Sequence, residues 1–199
     1  MISGGFFDSP WHSSDEKIFR AALELFAEKG YHGTSTRAIA QRADMSPGAL
    51  YSHYESKGDI LYRIVRITHE GMLRQLQIAM TRQTDPIERL RDLVACHVRY
   101  HAEMSIAARV ANYELHCLDP DRMAEISQLR QLIEATVKDT LLLAEGAGLV
   151  KTGDITLATI MVISLGIDVS RWFRPDHGSS PDELAAFYSA HVITMFRVP

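Results

Sequence analysis

Three groups of residues in this 199-residue chain have types and spacings suited to chemistry. His97 and His101 stand four apart, so a helix would set both imidazoles on one face, and His116 follows on the next expected helix. That spacing suits a pair of metal ligands. No glutamate follows His97 in the HExxH manner, and the sequence fixes no third ligand, so no metal site is assigned. Lining of a polar pocket, or plain surface, are the competing readings. The second group is Arg171-Trp172-Phe173-Arg174, at the end of an apolar segment. Its arginines favour a helix C-terminus while the rings pack; alternatively, a Trp face stacks on a flat group and Arg pairs with phosphate. The third is Thr34 to Lys57, TSTRAIAQRADMSPGALYSHYESK, rich in hydroxyls and ending in a phosphate-facing lysine. No nucleophile–base pair or acidic metal motif accompanies any of the three, so no catalytic residue is assigned.

The elements that must position the third group are legible. Thr34 or Ser35 can cap a short helix whose small apolar face is Ile39, Ala40 and Ala43. Asp44-Met45 makes a tight link. Ser46-Pro47 then opens a second helix, a cap followed by proline where its missing N–H costs nothing. Two short helices joined so closely fit a helix-turn-helix, whose second helix lies in the major groove. Before it, Ile18, Ala21, Ala22, Leu25 and Phe26 give helical spacing from about Ser14 to Lys29, closed by Gly30. Phe26, Leu50 and Tyr54 are expected in the core.

A long helix is expected from Ser56 to about Arg82, a rod leading from the motif into a second domain. Asp85-Pro86 opens the next, to about Glu103. Ser105 opens one ending near Cys117, and Asp119-Pro120 one ending near Glu145. Asp154 and Ser180-Pro181 open the last two. The segment at 154–174 is apolar nearly all round, which predicts burial on both sides: a core on one face and a partner subunit on the other. Leu184, Phe187, Tyr188, Val192, Met195 and Phe196 extend that surface. No alternating strand pattern appears, so the fold is read as all-α.

Composition agrees with a globular helical protein: 46% of residues are hydrophobic and the net charge is −4. That charge does not advertise a nucleic-acid binder. Between Thr34 and Lys57, however, Arg37, Arg42 and Lys57 stand against Asp44 and Glu55, three charges against two for a net of +1. Residues 1–13 contain Gly4-Gly5 and Pro10 without helical period, and are read as a mobile arm in which Phe6, Phe7 and Trp11 pack locally. The start lacks Lys and Arg, unlike a secretory or transit peptide, and no membrane span is read. Cys96 and Cys117 are read as buried small residues, with redox sensing as the alternative, and a cytoplasmic location as the default.

Leu25-Phe26, Gly30-Tyr31, Thr36, Ile39-Ala40, Ser46-Pro47-Gly48, Leu50-Tyr51, His53-Tyr54 and Lys57 follow one another as in a known family. The stretch from about residue 14 to 65 resembles the DNA-binding domain of TetR-family transcriptional repressors. It departs at Asp44, where the family has glycine; aspartate tolerates a left-handed turn better than most residues. The resemblance implies domains at 14–57, a three-helix DNA-binding domain, and 58–199, a helical effector-binding and dimerisation domain. It also implies DNA contacts at Thr36, Arg37, Pro47, Gly48, Tyr51, Ser52, His53 and Lys57. Glycine lets backbone approach a phosphate, Tyr51 and His53 can donate to phosphate oxygens, and Arg37 reaches a guanine edge or a phosphate. The implied partners are a palindromic double-stranded operator and a second copy of the chain, with no cofactor and no membrane.

SRWFRP and SPDELA, beginning at Ser170 and Ser180, are similar to TetR-type regulators of lipid and steroid catabolism that sense acyl-CoA thioesters. That implies a small apolar effector with an anionic end, an acyl-CoA as the leading candidate. Tyr100, Arg109, Tyr113, His116, Arg171 and Trp172 are its expected contacts. The alternative is a helical-bundle metal-binding protein or enzyme using His97, His101 and His116.

Overall fold

The structure, a computed structural model, describes residues 13–176 and 178–197; of the expected N-terminal arm, all but Ser13 lies outside them, Phe6, Phe7 and Trp11 included. The described residues form α1 (Ser13–Lys29), α2 (Thr36–Arg42), α3 (Pro47–Tyr51), α4 (Lys57–Arg82), α5 (Pro86–Glu103), α6 (Ser105–Tyr113), α7 (Pro120–Gly146), α8 (Ile155–Trp172) and α9 (Pro181–Phe196). Among them the only extended pairing is one antiparallel bridge between Val150 and Arg197, so the fold is all-α. The helix expected to run from Ser105 to Cys117 breaks at Tyr113. A 3-10 turn, Leu115–Cys117, follows it.

Packing divides the described residues into two compact units that do not follow chain order. One holds the residues up to His69 with Ile106–Ser127. The other holds Glu70–Ser105 with the residues from Gln128 on. Each of α4 and α7 therefore begins in the first unit and ends in the second.

In the first unit, Ile18, Phe19, Leu23 and Phe26 of α1 are buried, as are Ile39 of α2, Leu50 of α3, and Ile60 and Leu61 of α4; α1 packs against α2, and α2 against α3. α3 has five residues, too few to persist as an isolated helix. Burial of Leu50, about 1.5–3 kcal/mol, and the Ser46 cap, about 1 kcal/mol, hold it. Gly30 ends α1 at φ 71. Tyr54 is half-buried: its ring lies 5.6 Å from Phe19 and its hydroxyl donates to Asp15 at 3.0 Å.

In the second unit α5 packs most extensively against α9, then against α8. The core includes Leu76, Leu90, Leu93, Val137, Leu141, Val162 and Val169. Asp154 caps α8 by accepting from Thr156 N and Leu157 N at 2.8 and 3.0 Å. Ser180 and Glu183 form a capping box on α9. α8 is long and apolar enough to cross a bilayer, with a mean hydropathy of 1.4. Yet Ala158, Thr159, Val162, Gly166, Val169 and Ser170 lie along its buried face. Within one chain the expected double-sided burial is one-sided: Leu157 and Ile160 are exposed at 65% and 50%.

Candidate nucleic-acid interface

α2 and α3 are set by their caps and the turn between them. Ser35 Oγ accepts from Ala38 N, and Ser46 Oγ from Ala49 N, both at 3.1 Å. Thr34, offered as an alternative cap, is instead buried; its hydroxyl donates to the carbonyls of Leu25 and Gly30 and ties the loop to α1. Asp44 sits at φ 57. The left-handed turn is thus kept by the aspartate that replaces glycine.

Around α3 the side chains of Ser46, Pro47, Tyr51, Ser52 and His53 are exposed, as is Gly48. Tyr51 hydroxyl lies 2.9 Å from Thr36 Oγ1, which joins the end of α3 to the start of α2. His53 Nδ1 lies 3.6 Å from Asp15 Oδ1. A Cβ added at Gly48 would meet only Ser46 Oγ, at 4.0 Å. Packing within the chain therefore does not demand glycine there, although glycine weakens a helix by about 0.5–1 kcal/mol relative to alanine. Ser52 Oγ donates to Ala49 O at 2.7 Å.

Two of the three expected cations are engaged inside the unit. Arg42 pairs with Glu24 at 2.9 Å and Glu28 at 3.2 Å, both on α1. The Arg42 hydrogen bond holds the Glu28 carboxyl below its ordinary range. Lys57 corrects the expectation of an outward, phosphate-facing lysine. Its Nζ donates to Tyr31 O at 2.6 Å and Thr34 O at 2.7 Å and sits 4.0 Å from the Tyr31 ring centroid. Desolvation pulls its pKa down. The α1–α2 loop offers carbonyls left over after α1 ends, and the first residue of α4 meets them; at most one N–H remains for a phosphate. Arg37 is exposed and carries no ion pair among the described residues. The local charge is therefore presented mainly by Arg37.

Two family profiles match this chain. "Bacterial regulatory proteins, tetR family" covers residues 18–64, and "Tetracyclin repressor-like, C-terminal domain" covers residues 83–196. The chain belongs to the TetR family. The TetR family comprises transcriptional regulators, not enzymes. A solved structure of a bacterial regulatory protein in the tetR family from Rhodococcus RHA1 is 36% identical, with a TM-score of 0.88 over 95% of this chain and 100% of that one. The "Fatty acid metabolism regulator protein" of Bacillus subtilis is 27% identical over 169 residues, 80% of this chain and 84% of the relative. AibR, solved in complex with isovaleryl coenzyme A and operator DNA, has a TM-score of 0.81 at 21% identity, over 94% of this chain and 100% of that one; at that identity the likeness is one of fold.

The residues expected to meet an effector of this TetR-family chain divide between the units. Arg109, Tyr113 and His116 belong to the first, Tyr100, Arg171 and Trp172 to the second. Tyr100 is half-buried by exposure and packs against the second core, with its hydroxyl beside Gly71. Burial pushes that hydroxyl well above the ordinary tyrosine range. Trp172 is half-buried against the same core, its ring 6.4 Å from Phe173. Arg171 is 63% exposed and pairs with Asp168 at 2.7 Å, which favours the reading of a helix-end surface charge. Tyr113 is exposed, and its carbonyl accepts from His116 Nδ1 at 3.0 Å.

The histidine trio of the alternative reading divides between the units. His97 and His101 are buried in the second unit and His116 is exposed in the first. His97 Nε2 donates to Ile163 O at 3.1 Å while Nδ1 abuts Met72 Sδ at 3.2 Å. His101 Nδ1 donates to His97 O at 2.9 Å. Burial holds His97 below its ordinary pKa, so its ring is neutral packing. Gly166 is what admits it: a Cβ there would overlap the imidazole. The i, i+4 spacing placed both rings on one helix face but could not say that α8 would cover that face.

A cleft of about 350 Å³ in the first unit is lined by Tyr31, Ser56, Lys57, Gly58, Cys117, Leu118, Asp119 and Arg122. Arg122 pairs there with Asp59 and Asp119. None of the expected effector residues lines it. No sequence spacing could join residue 31 to residues 117–122; only the packing of the unit does.

Proposed function

We propose that this TetR-family regulator acts as a homodimeric repressor of a palindromic operator and is released by a small apolar effector. One observation carries the DNA half: α3 and its flanks expose Ser46, Pro47, Gly48, Tyr51, Ser52 and His53 over the buried Leu50, without an internal reason for the glycine. Arg37 and Tyr51 are the leading contacts, with Thr36, Pro47, Gly48, Ser52 and His53 around them, and Lys57 supports the loop. Two copies would present their α3 helices to successive major grooves, about 34–36 Å apart. A DNA-binding role carries with it a cytoplasmic location.

The dimer half rests on exposed apolar residues of α8 and α9: Leu157, Ile160, Phe187 and Met195. The effector half rests on the names of relatives, a fatty acid metabolism regulator and a structure holding isovaleryl coenzyme A with operator DNA. An acyl-CoA thioester is the candidate, its apolar part bound through buried area near Tyr100 and Trp172. It must bind the DNA-incompetent state better, by about 1–3 kcal/mol for a typical coupling.

The test is a gel shift on DNA upstream of the chain's own gene. Tyr51→Ala and Arg37→Ala are expected to weaken binding with thermal unfolding unchanged. Arg37→Ala should flatten the salt dependence by about one unit of slope if it meets a phosphate. Unchanged binding in both variants sinks the interface. The complex is then titrated with acyl-CoAs, the corresponding free acids and unrelated apolar compounds. Release by the thioester alone supports the effector; release by the unrelated compounds alone removes it and leaves the DNA claim intact.

A further inference from the structure

His116, released from the trio suggested by spacing, has other neighbours. His32 in the α1–α2 loop, His116 and Cys117 bring one imidazole nitrogen each and a sulfur within 4.8 Å of one another. All three belong to the first unit. Both histidines are exposed and Cys117 is half-buried. Cys117 Sγ lies 3.5 Å from His32 Nε2. In a tetrahedral zinc site, with Zn–S of about 2.3 Å and Zn–N of about 2.0–2.1 Å, the sulfur–nitrogen edge is about 3.5 Å. That pair is therefore already at ligand spacing, with the third donor, on His116, within 4.8 Å of both.

The protonation pattern fits as well. His116 Nδ1 donates to Tyr113 O at 3.0 Å, which fixes the tautomer and leaves Nε2 with its lone pair. A backbone carbonyl holding the far nitrogen is the usual outer support of a metal-bound histidine. Glu114 Oε2 lies 3.8 Å from Cys117 Sγ, close enough to offer a fourth ligand in place of water.

From this geometry we infer that His32, His116 and Cys117 form a site for a borderline-soft divalent cation, Zn²⁺ first. Thiolate plus imidazole is the donor set that suits zinc. The step balances simply: Zn²⁺ binds the thiolate and one proton leaves Cys117 for solvent. Because the thiol must shed its proton to bind the ion, affinity falls as pH falls.

The consequence is mechanical. His32 belongs to the loop whose Tyr31 and Thr34 carbonyls Lys57 grips, just before the Ser35 cap of α2. A bound ion would tie that loop to the turn between α6 and α7, adding a second clamp on the segment that leads into the polar face. This site stands or falls independently of operator recognition.

The experiment uses the reduced, chelator-treated full chain titrated with Co²⁺, then Zn²⁺. One equivalent of Co²⁺ should give tetrahedral d–d bands and a thiolate charge-transfer band, both bleached by Zn²⁺. Cys117→Ser should remove the charge-transfer band, and Cys96→Ser should leave it. His32→Ala, an exposed position, should weaken binding by more than the about 10–100-fold typical of losing an outer-shell partner and cancel the rise in Tm that Zn²⁺ gives the parent. No charge-transfer band in the parent, or one that survives in Cys117→Ser, overturns the site.

Discussion

The two units bury their cores alike and dress their surfaces differently. Among the described residues, the large hydrophobic side chains exposed in the first unit are Tyr51 and Tyr113, each carrying a hydroxyl. In the second they are Leu132, Leu142, Leu143, Leu149, Leu157, Ile160, Phe187 and Met195, with Ile78. A tyrosine can offer its hydroxyl to a phosphate and stay wet. A leucine or phenylalanine at 50–65% exposure offers only area to be removed from water. The contrast is one of chemistry: the large side chains exposed in the first unit carry a hydroxyl, and those in the second do not. Exposed side chains of this size are what the partner proposed for α8 and α9 would cover.

The largest effect should come from charging the apolar side. Phe187 is 58% exposed on α9, its ring stacked on His191 at 4.0 Å. Phe187→Glu is expected to convert a micromolar dimer to monomer, a loss of at least about 2 kcal/mol for an interface anchor, while the monomer keeps its helical signal. Sedimentation equilibrium reads it. A wild-type chain that is a folded monomer at micromolar concentration would leave the second surface without a partner and overturn the dimer. An obligate interface there should bury more than about 2,000 Å² in total.

A smaller effect sharpens the polar side by moving two quantities in opposite directions. Gly48→Ala should stabilise the folded chain by about 0.5–1 kcal/mol, since alanine is the better helix former. It should also weaken operator binding by about tenfold, or 1.4 kcal/mol, if backbone approach is the reason for glycine. Thermal unfolding and a gel shift on one preparation suffice. Gains in both would mean that nothing approaches Gly48.

The smallest expected effect tests the support behind that face. Asp59, on α4, pairs with Arg122, on α7, and accepts from Ser56. Desolvation alone would raise its pKa. The Ser56 and Arg122 hydrogen bonds and the Arg122 charge outweigh it, and the folded carboxyl lies below its ordinary 3.8. A carboxylate depressed in the folded state contributes stability above its unfolded pKa and loses it as pH falls through the folded value. The contribution should be full at pH 7 and fade below about pH 4. Asp59→Asn should cost no more than about 1 kcal/mol at pH 7 and flatten the acid limb of the unfolding curve. An unaltered acid limb would show that the pair is not held in solution.

Local signals carried much of this molecule. The cap at Ser46-Pro47, the turn at Asp44 and the apolar spacing of α1 each rest on residues within a few positions of one another, so the helices and the helix-turn-helix were legible from the chain alone. It also carried the family, because the motif's residues recur in a fixed order. Boundaries slipped where no breaker stands: α6 ends at Tyr113, and only the following 3-10 turn reaches Cys117.

Where charge and ligand atoms point was settled by packing. Lys57 reads as outward until the carbonyls of Tyr31 and Thr34, more than twenty residues earlier, are seen to hold it. Arg42 counts toward a basic face until α1 lays Glu24 and Glu28 beside it. His97 and His101 share a helix face by spacing, but packing buries that face under α8 and leaves His116 beside His32 and Cys117. Helical periodicity fixes neighbours three and four apart. Contacts between residues eighty positions apart depend on how helices pack, and no short stretch of sequence encodes that packing alone.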